Sequence, residues 1–128
     1  ETILLVEDED AVRNLTRRLL ETGGYTVLQA ANAEQALEVV HGHSGRLDML
    51  LTDVVMPGMS GPELARGLLA VRPQLRVLYV SGYPDEAIPS DGGLEADASF
   101  LQKPFTPETL ARKIREVLDA RAPAPIDR

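Results

Sequence analysis

Met49-Leu50-Leu51-Thr52-Asp53-Val54-Val55-Met56-Pro57-Gly58-Met59-Ser60-Gly61 is the stretch whose reading decides the fold. An apolar run stops at a single carboxylate, Asp53, and a turn built from Pro57, Gly58 and Gly61 follows at once. Apolar runs of this length, bounded by turn residues, read as buried parallel strands. In open α/β sheets, ligands and chemistry collect outside the carboxyl ends of the strands. Asp53 is then either a charged group at the mouth of a site or a strand-end Asp that satisfies turn amides. This stretch alone leaves both readings open.

Working outward, the flanking sequence repeats the pattern. Ile3–Val6 reads as a first strand, apolar on both faces, and runs into four acids, Glu7-Asp8-Glu9-Asp10. A helix follows with Val12, Leu15 and Leu19 on one face, and Gly23-Gly24 ends it. Tyr25–Ala30 is a second strand. Asn32 and Gln35 have capping-box spacing, and Ala33, Ala36, Leu37 and Val40 give the next helix its stripe. Leu47–Thr52 is the third strand. Ser60 and Glu63 form a second capping box, with Pro62 in the first turn. Leu64, Leu68 and Val71 mark that helix's buried side, and Pro73 stops it. Val77–Val80 is a fourth strand ending at Ser81-Gly82. Ala98–Leu101 is a short fifth, ending at Lys103-Pro104. Thr106 caps and Pro107 begins a last helix whose inner face is Leu110, Ile114, Val117 and Leu118. Alternating strands and helices mean a doubly wound α/β fold: a five-stranded parallel sheet covered on both faces, with right-handed crossovers.

The fourth crossover breaks the rule. Pro84, Pro89 and Gly92-Gly93 interrupt it, and a proline inside a helix costs ~3 kcal/mol. An irregular fourth helix is expected there, at most one turn from Pro84 to Ile88. Residues 1–121 read as one domain, and the Pro/Ala-rich residues 122–128 as a disordered tail.

Composition narrows the function. The 128-residue chain carries 20 acidic and 13 basic residues, a formal charge of -7. That argues against sequence-independent nucleic-acid binding and against a polybasic membrane surface. With no cysteine there are neither disulfides nor thiolate metal sites, which fits a cytoplasmic setting. No apolar run approaches a membrane span. Glu1 in place of Met reads as the cut end of a longer protein, or a processed one.

Polar groups able to handle a phosphoryl stand at four strand ends: Glu7 and Asp8, Asp53, Ser81, and Lys103. Parallel strands put them on one rim. Two carboxylates ~5 Å apart at an effective dielectric of ~20 repel by roughly 3 kcal/mol. A hard divalent cation removes that cost, and Mg²⁺ favours one or two carboxylates plus water. Lys103 adds a second positive charge and Ser81 a hydroxyl donor. Together they are the parts for phosphoryl transfer to a carboxylate nucleophile. Singly, each has a plainer reading: Glu9 and Asp10 as helix-capping acids, Lys103 as a surface lysine, Ser81 as a turn former.

In Leu5-Val6-Glu7-Asp8-Glu9, Thr52–Gly61, Ser81-Gly82-Tyr83 and Lys103-Pro104-Phe105, the chain resembles the receiver (CheY-like) domain of two-component response regulators. The resemblance runs from Ile3 to about Ala120. It implies a flavodoxin-like sheet of strand order 2-1-3-4-5. It implies that Asp53 accepts a phosphoryl group from a phosphohistidine on a histidine kinase or histidine phosphotransfer domain. It also implies self-catalysed phosphorylation and dephosphorylation with Mg²⁺. By the same resemblance Asp8 and Asp53 bind Mg²⁺ directly, Glu7 through water, and Val55 through its backbone carbonyl. Ser81 is the switch hydroxyl and Lys103 pairs with the phosphoryl group. Phe100 falls at the switch-aromatic position, where Tyr is frequent. Glu7 stands where many members carry Asp. Phe100–Pro107 is similar to receivers attached to hybrid sensor histidine kinases. A C-terminal receiver of such a kinase is the preferred context, and a free-standing regulator the alternative.

Other functions fit less well. A haloacid-dehalogenase-type aspartyl-phosphate phosphatase wants an Asp-x-Asp pair after strand one, whereas Val55 stands two after Asp53. A flavodoxin-like cofactor binder needs a Gly/Ser/Thr phosphate loop where this chain has four acids. A non-phosphorylated pseudo-receiver, purely an interaction module, is excluded only if the acids and Lys103 are functional; all are present. His41 and His43 have no third ligand in view and read as surface residues. The partner surface is expected on the first helix together with the rim loops, with Val12, Leu15 and Thr16 just past the acids, Arg13 and Arg17 supplying charge and Leu19 facing the core.

Overall fold

The structure is a computed structural model that describes residues 1–82 and 99–119. The irregular fourth crossover and the disordered tail expected from sequence fall outside the described residues. In chain order the elements are β1 (Thr2–Val6), α1 (Asp10–Thr22), β2 (Thr26–Ala30), α2 (Ala33–Gly42), β3 (Met49–Asp53), α3 (Gly61–Val71), β4 (Arg76–Ser81), β5 (Ser99–Gln102) and α4 (Pro107–Asp119). The strands form one parallel sheet in the order β2-β1-β3-β4-β5, as the resemblance implies.

β1 and β3 sit inside the sheet, and side chains alternate between its faces. Ile3, Leu5, Met49, Leu51, Leu78 and Val80 pack with Leu20 of α1 and Leu110, Ile114 and Val117 of α4. Leu4, Val6, Leu50 and Tyr79 pack on the other face, with Ala33, Ala36 and Val40 of α2 and Leu64, Ala65 and Leu68 of α3. Each fully buried Leu or Ile is worth roughly 1.5–3 kcal/mol. That is why strands apolar on both faces belong in the middle of a two-sided sandwich.

The helix starts follow their sequence signals. Asn32 accepts from the Gln35 amide at 2.8 Å, and the Gln35 side chain accepts from the Ala31 amide at 2.8 Å. Ser60 and Glu63 close a reciprocal capping box. Thr106 accepts from the Thr109 amide at 3.0 Å. At the end of α1, Gly24 takes φ +95°, a conformation only glycine adopts without strain.

Two apolar positions expected to face inward, Val71 and Leu37, do not, while Leu15 is exposed on the helix where a partner surface is expected. Leu15 is 60% exposed, while Thr16 and Leu20 are the buried residues of α1 and Leu19 is half-buried. α1 is thus rotated by about one residue from the expected phase. Thr16 lines the small cavity beside Glu7 and Asp53 described below. Val71 is exposed at the end of α3. There the half-buried residue is Arg72, whose guanidinium donates to the carbonyls of His43 (2.8 Å) and Gly45 (2.9 Å). Leu37 is also partly exposed. No helix among the described residues is long and apolar enough to cross a membrane.

Candidate functional site

The carboxyl ends of β1, β3, β4 and β5 share one rim, since Val6 is level with Thr52, Asp53 with Val80, and Ser81 with Gln102. The ladders reach one step beyond the strands. The Glu7 amide donates to Ala30 (3.1 Å), the Val54 amide to Val80 (3.1 Å) and the Lys103 amide to Ser81 (2.8 Å). Main-chain bonds therefore set where Glu7, Asp53 and Lys103 begin, before any side chain interacts. The Lys103–Pro104 peptide is cis.

Glu7 and Asp53 are buried and Asp8 is exposed; their carboxylate oxygens lie within 4.8 Å of one another. Among the described residues this is the group of His, Asp and Glu side chains close enough to hold a metal ion. Hard oxygen donors converging at this spacing, partly buried and open on the Asp8 side, fit Mg²⁺. His41 and His43 lie outside the group. His43 Nε2 is 3.1 Å from the Arg46 carbonyl oxygen, a local surface contact.

Lys103 Nζ lies 3.1 Å from Glu7 Oε1 and 3.1 Å from Asp53 Oδ1. It thus bridges two buried carboxylates whose repulsion would otherwise be uncompensated. The second Glu7 oxygen accepts from the Glu9 amide at 3.1 Å. Burial pushes the Asp53 carboxyl up to about 7, with the Glu7 charge adding to the rise and Lys103 opposing it. Burial works on Glu7 in the same direction, but the Glu9 amide and Lys103 outweigh it and hold that carboxyl below its usual range. Of the two, Asp53 is the one that holds a proton near neutrality. Lys103 is also penalised by burial, yet Asp53 and Glu7 together raise its pKa.

Beneath the acids lies a cavity of about 10 Å³, lined by Glu7, Thr16, Thr52, Asp53, Lys103 and Phe105 among others. The turn after Asp53 is held against the start of α3, where the Gly61 amide donates to Val54 at 2.9 Å. A Cβ on Gly61 would run into the Asp53 carbonyl oxygen, so only glycine fits. Val55 and Met59 are exposed on the same rim. Ser81 ends β4, half-buried. Phe100 of β5 is half-buried too, its ring stacked on Tyr79 with centroids 5.5 Å apart.

Two features escaped the sequence reading. Glu9 occupies the N-cap of α1 but makes no side-chain cap bond, so the capping reading of that acid does not hold. Arg13 is not a free surface charge: its guanidinium donates to the Glu7 carbonyl at 2.8 Å and to Asp10 at 2.6 Å. The three-residue spacing of Asp10 and Arg13 on a helix was the available signal. Thr16 is buried and unavailable to a partner.

A family profile described as the response regulator receiver domain matches residues 3–115. Over 118 residues the chain is 43% identical to the sensor kinase CckA of Brucella abortus (strain 2308), covering 92% of this chain but only 12% of that protein's length. It is 36% identical over 118 residues to the response regulator receiver protein CpdR of the same organism, covering 92% of this chain and 97% of CpdR. The crystal structure of the receiver domain of the hybrid histidine kinase CckA superposes with a TM-score of 0.79 at 39% identity, covering 93% of this chain and all of that one. Fold, rim chemistry and sequence thus converge, and the chain belongs to the response regulator receiver domains, the phosphoacceptor modules of two-component signalling.

Proposed function

We propose that Asp53 is the phosphoacceptor and that its donor is a phosphohistidine on a histidine kinase or histidine phosphotransfer domain. The observation that carries this reading is the Asp53 carboxylate at a rim where Lys103 bridges it to Glu7. A carboxylate oxygen of Asp53 attacks phosphorus, the phosphorus–nitrogen bond of the donor breaks, and the imidazole leaves with the electron pair. Asp53 must be ionised to attack. Lys103, within reach of the attacking group, offsets charge on the arriving phosphoryl, and the Ser81 hydroxyl donates to one of its oxygens. Asp8 and Asp53 would hold Mg²⁺, with Glu7 acting through water and Val55 through its carbonyl. Bound there, the cation would neutralise the carboxylates and the phosphoryl oxygens. Incubation with a small phosphodonor and Mg²⁺ should add one phosphoryl to the intact mass. Asp53→Asn, an isosteric change, should abolish that gain, and undiminished labelling of the variant would reject the assignment. A wild-type chain that gains no mass would instead favour a pseudo-receiver.

Ser81 and Phe100 form the proposed switch. They lie on adjacent strands, and Phe100 pairs in register with Tyr79, two residues before Ser81. Phosphorylation draws Ser81 toward Asp53 and lets Phe100 turn further inward from its half-buried place on Tyr79. Beryllofluoride should shift the NMR signals of both residues; a response confined to the neighbours of Asp53 would contradict the coupling. The preferred setting is a receiver of a hybrid sensor histidine kinase, supported by the likeness to CckA, with a free-standing regulator, like CpdR, as the alternative.

A further inference from the structure

Glu7 is tied at every polar atom. Its amide donates to Ala30, Oε1 accepts from Lys103 and Oε2 accepts from the Glu9 amide. Its carbonyl accepts from Arg13 Nη1 at 2.8 Å, while Arg13 Nη2 reaches Asp10 at 2.6 Å. That carbonyl belongs to the peptide joining Glu7 to Asp8. The Arg13 side chain is only 16% exposed, and its guanidinium therefore grips the plane that sets where Asp8 leaves the strand. Asp8 itself is exposed, and among the described residues its carboxylate accepts no hydrogen bond. Charge repulsion from Glu7 would drive its carboxylate outward, away from the arrangement a shared cation needs, yet one of its oxygens lies within 4.8 Å of an oxygen of Glu7 and of Asp53.

We propose that Arg13 is a positioning residue for divalent-cation binding. By fixing the Glu7–Asp8 peptide it holds the Asp8 carboxylate in the cluster with Glu7 and Asp53. The inference rests on the Mg²⁺ reading of that cluster given above. Two effects of the guanidinium oppose each other. Its positive charge disfavours a cation nearby, whereas its fork preorganises the donors. Planar, two-pronged donation is what Arg supplies and Lys does not. Groups that orient metal ligands typically change metal affinity 10–100-fold when removed.

Substitution separates the two effects. Mg²⁺ titrations of the wild-type chain, Arg13→Lys and Arg13→Gln would be followed by amide NMR shifts at residues 7–9 and 53, and by the Mg²⁺-dependent rise in Tm. Melting in EDTA checks the fold. Positioning predicts that both variants bind Mg²⁺ about 10-fold more weakly. Their phosphorylation by a small phosphodonor should recover to the wild-type rate at saturating Mg²⁺. If Arg13 acts only through charge, Arg13→Lys binds like wild type and Arg13→Gln binds more tightly; either result overturns the proposal. Deficits that persist at saturating Mg²⁺ would also overturn it, because they place Arg13 in the transfer step. A wild-type chain that shows no Mg²⁺ response overturns the Mg²⁺ reading, and this inference with it.

Discussion

Asp53 has a measurable consequence for stability before any chemistry occurs. Its carboxyl is pushed up to about 7 in the folded chain from an ordinary value of 3.8. Between those values the native state keeps a proton that the unfolded state has lost. The slope of unfolding free energy with pH is therefore negative, and Asp53's contribution to stability falls as pH rises from about 4 to about 7. Glu7, held low, works with the opposite sign, but in a window that starts at its ordinary value and extends downward. Comparing wild type with Asp53→Asn isolates the Asp53 share. In EDTA at pH 8 the variant should be more stable by roughly 2 kcal/mol or more, several degrees in Tm. At pH 4 the two should melt nearly together. Parallel melting curves across the whole range would contradict the assigned burial cost.

At the scale of elements, α3 does two separable jobs. Its capping box, Ser60 with Glu63, stabilises the helix start. Ser60→Ala should cost about 1 kcal/mol and leave phosphorylation by a small donor unchanged. Gly61, one residue on, is different, because its α-carbon lies against the main chain of Asp53. Gly61→Ala should cost about 1–3 kcal/mol by overpacking and also slow phosphorylation, since the strand end itself must move. Thermal melts and phosphodonor rates on the two variants check this contrast. Equal phosphorylation rates in both would mean that the turn relaxes without moving Asp53. The same junction shows why glycine closes the opening stretch of sequence. The turn needs Gly58 at φ +80°, and the helix needs Gly61 for close approach.

At the scale of the whole molecule, three of the five large apolar side chains exposed among the described residues, Leu15, Val55 and Met59, belong to α1 and to the β3–α3 turn, the segments beside the acids. With Thr16 buried and Arg13 tied down, Leu15 is the large apolar side chain that α1 exposes to an approaching donor protein. Leu15→Asp should slow transfer from a phosphohistidine donor by about tenfold, roughly 1.4 kcal/mol. Its rate with a small phosphodonor should be unchanged; equal slowing of both would point to a folding defect. The sheet and the place of Asp53 at its rim were legible in the sequence because they depend on local signals: apolar runs, caps, and a lone carboxylate before a turn. The phase of α1 was not, since Val12, Leu15 and Leu19 satisfy the helical period as well as the buried set does. Nor was the Lys103–Glu7 bridge, which joins residues 96 apart and exists only once the strands align. The alternation of β1 and β3 between two cores has one further result. Deleting or inserting a single codon in either strand would exchange the helices that every later side chain of that strand meets, and would turn the terminal acid away from the rim. Substitutions that keep apolar volume should pass. The gene's tolerance there is thus set by parity: changes of spelling are survivable, and changes of length by one are not.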